Sequence, residues 1–273
     1  MDPTMGETAL TRRSDGALSR RAMLGLGIGV ALTATGCSSS QPTASAPATT
    51  TPRPAQPSAA TTTTTPATTS PPPGGPATQV IRADGAKPQV ALTFHGAGDA
   101  GIAKQIHDIL AAGNAKATIM AVGTWLAASP DGIKMFHDSG HEAGNHTWSH
   151  GVMADMTADT TLSEIERCRD ELAALLGTPG AFFRQSDAQY ATQRELAEAG
   201  QAGYARVLSY DIDGLDWRDP GPAAIRAAAA KATAGSVVSL HLGHSGTVSA
   251  LPDILRDLAV RGLSPVTATE LLG

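Results

Sequence analysis

The chain has 273 residues, a formal net charge of −5 at pH 7 and an aromatic content of 4%. That balance leaves no electrostatic footprint for nucleic acid, and no Lys/Arg-rich run follows residue 78. Scarce aromatics argue against a long sugar-stacking platform, and two cysteines in unlike settings, Cys37 and Cys168, do not make a disulfide framework.

The N-terminus has the parts of an export signal. Arg20 and Arg21 precede an apolar run from Ala22 to about Thr35, too short to span a bilayer comfortably. Adjacent arginines after Ser19 resemble the twin-arginine signal read by an exporter of folded proteins, with Arg12 and Arg13 a second pair further from the apolar run. The run ends in ATGC, which resembles a bacterial lipobox with Cys37 as the lipidated first mature residue, although Ala34 stands where that motif has Leu. Residues 1–37 are therefore read as an export signal, and the mature protein as a membrane lipoprotein facing the cell wall. Ordinary cleavage in the small-residue cluster is the plainer alternative. From 38 to 78 the composition collapses to Pro, Thr, Ser and Ala, too poor in apolar content to offset chain entropy. This stretch is expected to be a disordered linker with a polyproline-like reach on the order of 100 Å, at about 3.1 Å per residue.

Residues 79–273 read as one globular domain in which short β-rich runs alternate with helical segments. QVALTF precedes AKQIHDILAAG, KATIMAV precedes PDGIKMFHDSG, and HEAGNH leads to TTLSEIERCRDELAALLG. AFFRQ precedes ATQRELAEAGQAG, ARVLSYDID precedes PAAIRAAAAKATAG, SVVSLHLG precedes SALPDILRDLAVRGL, and SPVTATELL closes the chain. Such alternation implies an α/β fold with a parallel sheet and helices outside, and about seven repeats favour a barrel over an open sheet. Thr161 with Glu164 and Thr192 with Glu195 read as capping boxes. Leu162, Ile165, Leu172 and Leu175 share a helical face that Cys168 continues, so Cys168 is expected to be a core thiol.

Polar residues collect where the runs end. His95 and Asp99 follow the first, His146 and His150 the third, Arg184 the fourth, Asp211, Asp213 and Asp216 the fifth, and His241 the sixth. Singly, each has an ordinary explanation: a strand histidine is usually hydrogen-bonded in place, and an aspartate before a helix is usually a cap. Together they sit at strand C-termini, which in a βα barrel surround one mouth. His146 and His150, four apart in GNHTWSH, can project from one helical turn towards one metal ion, which then needs a third ligand from elsewhere in the chain. His107, His137 and His141 read as surface or packing residues, and His244 as a neighbour of the pocket.

The order of these pieces resembles the NodB-type polysaccharide deacetylases, the carbohydrate esterases that remove acetyl groups from N-acetylglucosamine polymers or xylan. The resemblance covers roughly 88–272. NHTWSH is similar to the family's His-Ser/Thr-x-x-His motif, FFRQS stands at its Arg-Pro-Pro motif, DIDGLDW at Asp-x-x-Asp-Trp and VVSLHLGH at its strand ending in Leu-His. The resemblance implies a deformed (β/α)7 barrel, a divalent metal (commonly zinc) and an acetylated cell-wall polysaccharide as substrate. It further implies His146 and His150 as metal ligands, Arg184 as the residue orienting the base and His241 as the acid protonating the leaving amine. Asp216 becomes the partner of that histidine, and Trp217 a wall of the pocket. The first motif departs: where the family has Thr-Phe-Asp-Asp-Gly, this chain has TFHGAGD, with His95 at the base position and Gly96 at the ligand position. Either Asp99 folds back as third ligand and His95 is the base, which is the reading preferred from the sequence, or His95 completes a three-histidine site and Asp99 is the base. The competing functions are an O-acetyl polysaccharide esterase on the same site and a catalytically inert barrel that binds wall carbohydrate.

Overall fold

A computed structural model describes residues 75–273; the stretch read as an export signal, Cys37 and the stretch read as a linker up to residue 74 lie outside the described residues. Nine strands form one sheet in which every pairing is parallel. They are β1 (Thr78–Val80), β2 (Gln89–Gly96), β3 (Thr118–Ala121), β4 (Glu142–Asn145), β5 (Phe182–Phe183), β6 (Arg206–Leu208), β7 (Ile212–Asp213), β8 (Val237–His241) and β9 (Ser264–Val266). Between and after them run α1 (Ala100–Ala112), α2 (Gly123–Ala128), α3 (Pro130–Asp138), α4 (Ala158–Leu176), α5 (Gln193–Gln201), α6 (Pro222–Ala229), α7 (Ser245–Val260) and α8 (Ala268–Leu272).

The sheet order is β1-β6-β5-β4-β3-β2-β8-β7, with β9 beside the first half of β2. The sequence run ARVLSYDID divides in two. Its start, β6, pairs with β5, and its end, β7, pairs with β8. One segment thus supplies the strand at one margin, β7, and the strand next to the other, β6, in a sheet that curls into the half-barrel of a deformed (β/α)7 fold. β1 adds a short strand to β6 from the edge of the stretch read as linker. Its neighbour Ala77 is buried and donates its N–H to Leu196 O at 2.8 Å.

Alternation of side chains along strands sorts the residues into two layers. Leu92 and Phe94 of β2, Ile119 of β3 and Val238 and Leu240 of β8 face the helices, packing with Ile106, Leu126, Ile133, Phe136, Leu251 and Ile254. Each such burial is worth roughly 1.5–3 kcal/mol. Ala91, Met120, Phe182, Leu208 and Val237 fill the inside of the curl. The inner positions that follow Ala91 and Val237 at a spacing of two are Thr93 and His95 on β2, and Ser239 and His241 on β8. Register pairs Thr93 with Ser239 and His95 with His241, so the inner row changes from apolar to catalytic chemistry at the strand ends.

Helix starts follow capping chemistry, with one difference from the sequence reading. Thr192 and Glu195 form the expected reciprocal box on α5. On α4 the cap is Thr157, which accepts from Thr160 N, while Thr161 and Glu164 are buried inside the helix. Cys168 is fully buried and donates to Ala121 O at 3.3 Å, and burial pushes its thiol up to about 12.

His141, which precedes β4, is a packing residue with a consequence for acid stability. Its Nδ1 accepts from Ala117 N at 3.1 Å, and burial, then the charges of Lys116 and His107, lowers its pKa from 6.5 to about 4. The unfolded chain protonates this ring first, so its contribution is intact above pH 6.5 and lost as pH falls towards 4. His141→Asn keeps an acceptor without the titration. Urea midpoints measured at about pH 7 and about pH 5 should converge in the variant relative to the wild type. Equal acid losses in both proteins would refute this account.

Candidate metal centre and active site

The loop after β4 supplies two histidines, but not from a helical turn. Thr147 and His150 lie at φ 66° and 58°, in the left-handed region that β-branched and bulky residues rarely adopt. The strain is held by a set of local bonds. Asn145 Oδ1 accepts from Thr147 N at 2.9 Å, and Thr147 Oγ1 accepts from His150 N at 3.1 Å. The buried Glu164 carboxylate accepts from Ser149 N and Oγ at 2.7 and 2.9 Å. Gly123 N and Thr124 N donate to Thr147 O and Trp148 O, seating the loop on the first turn of α2. The result brings the rings of His146 and His150 to a centroid distance of 4.7 Å.

His95 joins them. One ligand atom from each of His95, His146 and His150 lies within 4.8 Å of the other two. The donor chemistry suits a divalent ion. His146 Nδ1–H donates to Arg184 O at 3.0 Å, leaving Nε2 with a lone pair, buried and without a partner. His95 Nε2 meets Ser239 Oγ at 3.1 Å, and its Nδ1 is likewise buried and unpartnered. Unsatisfied buried nitrogens are uncommon in folded proteins, and two in one cluster of imidazoles are what a bound cation would satisfy. Burial, reinforced by the neighbouring histidines, holds His95 and His146 well below 6.5, and burial lowers His150 as well. Neutral rings present lone pairs, as metal ligands must.

Asp99, the preferred third ligand from the sequence, is engaged elsewhere. It is the N-cap of α1, and its carboxylate accepts from Gly101 N at 2.8 Å and Ile102 N at 3.0 Å. The GAG loop does not bend it back towards His146. Nor is there room at the family's ligand position: a Cβ on Gly96 would lie 2.9 Å from Ala121 Cα and 3.0 Å from Ile119 Cγ2. Asp99→Ala should therefore cost about 1 kcal/mol of stability, the usual value of an N-cap, and leave the metal content unchanged. Loss of stoichiometric metal from that variant, measured by elemental analysis, would return Asp99 to the ligand set.

Beside the triad, His241 closes to a ring distance of 4.3 Å from His95. Its Nδ1–H donates to Asp216 at 2.7 Å. Asp216 is fully buried and also accepts from His241 N at 2.8 Å and Thr247 Oγ1 at 2.5 Å, so three donors hold the carboxylate in place. A pocket of about 280 Å³ opens over these groups, with Asp187, Gln189, Tyr210, Asp213 and Trp217 around it. Trp217 is 46% exposed, with Nε1 directed at Asp213 Oδ2 (3.4 Å) and the Arg218 guanidinium over its ring. Arg184 is fully buried; its Nε donates to Leu208 O at 2.7 Å and its Nη2 to Ser209 O at 3.2 Å, and burial lowers its pKa to about 10.

A family model described as polysaccharide deacetylase matches residues 82–207. A peptidoglycan-N-acetylglucosamine deacetylase of Bacillus cereus is 34% identical over 196 residues, spanning 67% of this chain and 87% of that protein. The chain belongs to the polysaccharide deacetylase family. Among solved structures, a peptidoglycan N-acetylglucosamine deacetylase shares 27% identity with a TM-score of 0.67, over 71% of this chain and 92% of that one. A carbohydrate esterase family 4 pseudoenzyme from Bacillus anthracis shares the fold, with 23% identity and a TM-score of 0.67 over 72% and 69% of the two chains.

Within this deacetylase frame the structure gathers His95, His146, His150, His241 and Asp216, with Trp217 at the rim and Asp99 outside. Arg184 touches the centre through its carbonyl on His146, while its guanidinium is bonded to the carbonyls of Leu208 and Ser209. Ser239 and Thr247 went unread in the sequence, and Asn145 carried only a Gly-Asn turn signal before His146. Ser239 had a signal: it stands two before His241, hence on the same inner face. Thr247 had none, because it reaches Asp216 from α7, 31 residues on.

Proposed function

We propose that this chain is an exported, metal-dependent hydrolase that removes acetyl groups from N-acetylated cell-wall polysaccharide, peptidoglycan- or chitin-like polymers of N-acetylglucosamine. The observation that carries the reading is the group of His95, His146 and His150 beside the His241–Asp216 pair, in a fold of this family. Three imidazoles with an open position suit a catalytic zinc ion, and His95 takes the place in the ligand set that the sequence reading gave to Asp99.

When bound, such an ion supplies Lewis acidity towards an acyl carbonyl and towards water. The reaction adds water to the acyl carbon and breaks the C–N bond, giving acetate and an amine. With His95 a ligand and Asp99 a cap, His241 is the histidine left to move protons. Its Nε2 accepts the proton that water gives up and passes it to the departing nitrogen. Asp216 holds Nδ1–H, which fixes the ring and balances its charge in transit. Trp217 offers a face to the sugar, and the Arg184 carbonyl fixes the His146 ring. Residues 1–37 serve as export signal, and the stretch read as linker, from 38 up to the residues that join the sheet at β1, as a tether from a lipid on Cys37 into the wall.

Acetate release from N-acetylated and O-acetylated oligosaccharides, before and after metal stripping and refilling, tests the proposal. Metal-dependent release from the N-acetyl series is the expected result, whereas release from the O-acetyl series alone would make the chain an esterase. The missing paired carboxylates of TFHG favour one further reading, an inert wall-binding barrel. Tight metal and sugar binding with no acetate from either series would establish that instead.

A further inference from the structure

Among the described residues Ser239 is the one partner of His95 Nε2, and that bond bears on which nitrogen of the ring is free. If the Ser239 hydroxyl donated to Nε2, the proton would sit on Nδ1, and Nδ1 is buried with no acceptor in reach. If instead Nε2–H donates to Ser239 Oγ, Nδ1 carries the ring's lone pair and is the nitrogen left to join His146 and His150. The second arrangement leaves no buried N–H without an acceptor, and the Ser239 O–H, which then needs an acceptor of its own, can rotate towards the pocket that Ser239 lines. No nearby group competes for the ring. Thr93, opposite Ser239 in register, donates its hydroxyl to Val238 O at 2.8 Å, and His241 Nδ1 is committed to Asp216.

We infer that Ser239 is a positioning residue that selects the Nε2–H tautomer of His95 and so presents Nδ1 to the metal. His146 is held in the opposite sense, with Nδ1–H on the Arg184 carbonyl and Nε2 free. The centre therefore uses a serine on β8 and a backbone carbonyl after β5 to set two different tautomers. This deepens the proposed metal site and rests on it.

The test has two readouts. In metal-free protein labelled with ¹⁵N-histidine, imidazole nitrogen shifts should show His95 protonated on Nε2 in the wild type. Ser239→Ala should move His95 to a mixture or to the Nδ1–H form, and Ser239→Thr, which keeps the hydroxyl, should restore it. Zinc affinity measured against a chromophoric chelator should fall about 10- to 100-fold in Ser239→Ala, the usual effect of losing an outer partner of a ligating histidine. Recovery in Ser239→Thr would separate the hydroxyl's role from packing. A wild-type His95 protonated on Nδ1 would overturn the inference, even if Ser239→Ala did not fold. So would a Ser239→Ala protein with unchanged tautomer and unchanged affinity. A wild type that binds no zinc would sink the proposed metal site, while the metal-free spectra still decide the tautomer.

Discussion

His146→Ala is expected to empty the metal centre and to reduce acetate release by on the order of 10³ or more. The size follows from what the ion contributes: several kcal/mol of charge stabilisation, at about 1.4 kcal/mol per tenfold in rate. His146 is the most constrained ligand candidate, fully buried, with Nδ1 fixed on Arg184 O and Nε2 unpartnered. Its removal leaves two imidazoles, and affinity should fall well beyond the 10- to 100-fold that losing an outer partner costs. His95→Ala should behave alike if three histidines form the site. Asp99→Ala should not, since that carboxylate caps α1. Elemental analysis of the three purified variants distinguishes the arrangements. Metal lost with Asp99 and kept without His95 would restore the Asp-His-His alternative and free His95 to be the base.

The contrast between His95 and Asp99 shows what the sequence could carry. Strand–helix alternation and the crowding of polar residues at strand ends gave the fold and the location of the pocket, because both are local patterns. His146 and His150 were legible as a pair from their spacing, but not the means of bringing them together. Left-handed backbone at Thr147 and His150 depends on Asn145 just before it and on Glu164 and the α2 amides, which come from two other places in the chain. Asp99 was preferred as third ligand by weighing a familiar ligand set over local propensity; in the structure it caps α1, as an aspartate directly before a helix does by default. The division of ARVLSYDID into β6 and β7 has a comparable cause. A single apolar run does not say that its two ends lie towards opposite sides of a curled sheet, one beside β5 and the other beside β8.

Asp216→Asn should leave the fold and the metal in place and lower kcat by about 10²–10⁴, the usual worth of a positioned acid–base group, with little change in KM. The argument is in the donors. One carboxylate oxygen accepts from His241 N–H and from Thr247 Oγ1, and the other from His241 Nδ1–H. An amide cannot accept at both ends. The backbone N–H of His241 cannot turn away, so the amide oxygen must stay on it, and the –NH₂ then faces Nδ1. That reverses the ring: Nδ1 becomes the acceptor and Nε2 keeps its hydrogen, with no lone pair to take a proton from water. His241→Ala should lose at least as much turnover while binding a full complement of metal. His241 ¹⁵N shifts in the Asp216→Asn protein would show the reversal directly. A variant that kept wild-type kcat with the ring reversed would remove His241 from the proton path, and the base would then have to be sought among the other groups around the pocket, Asp187 first.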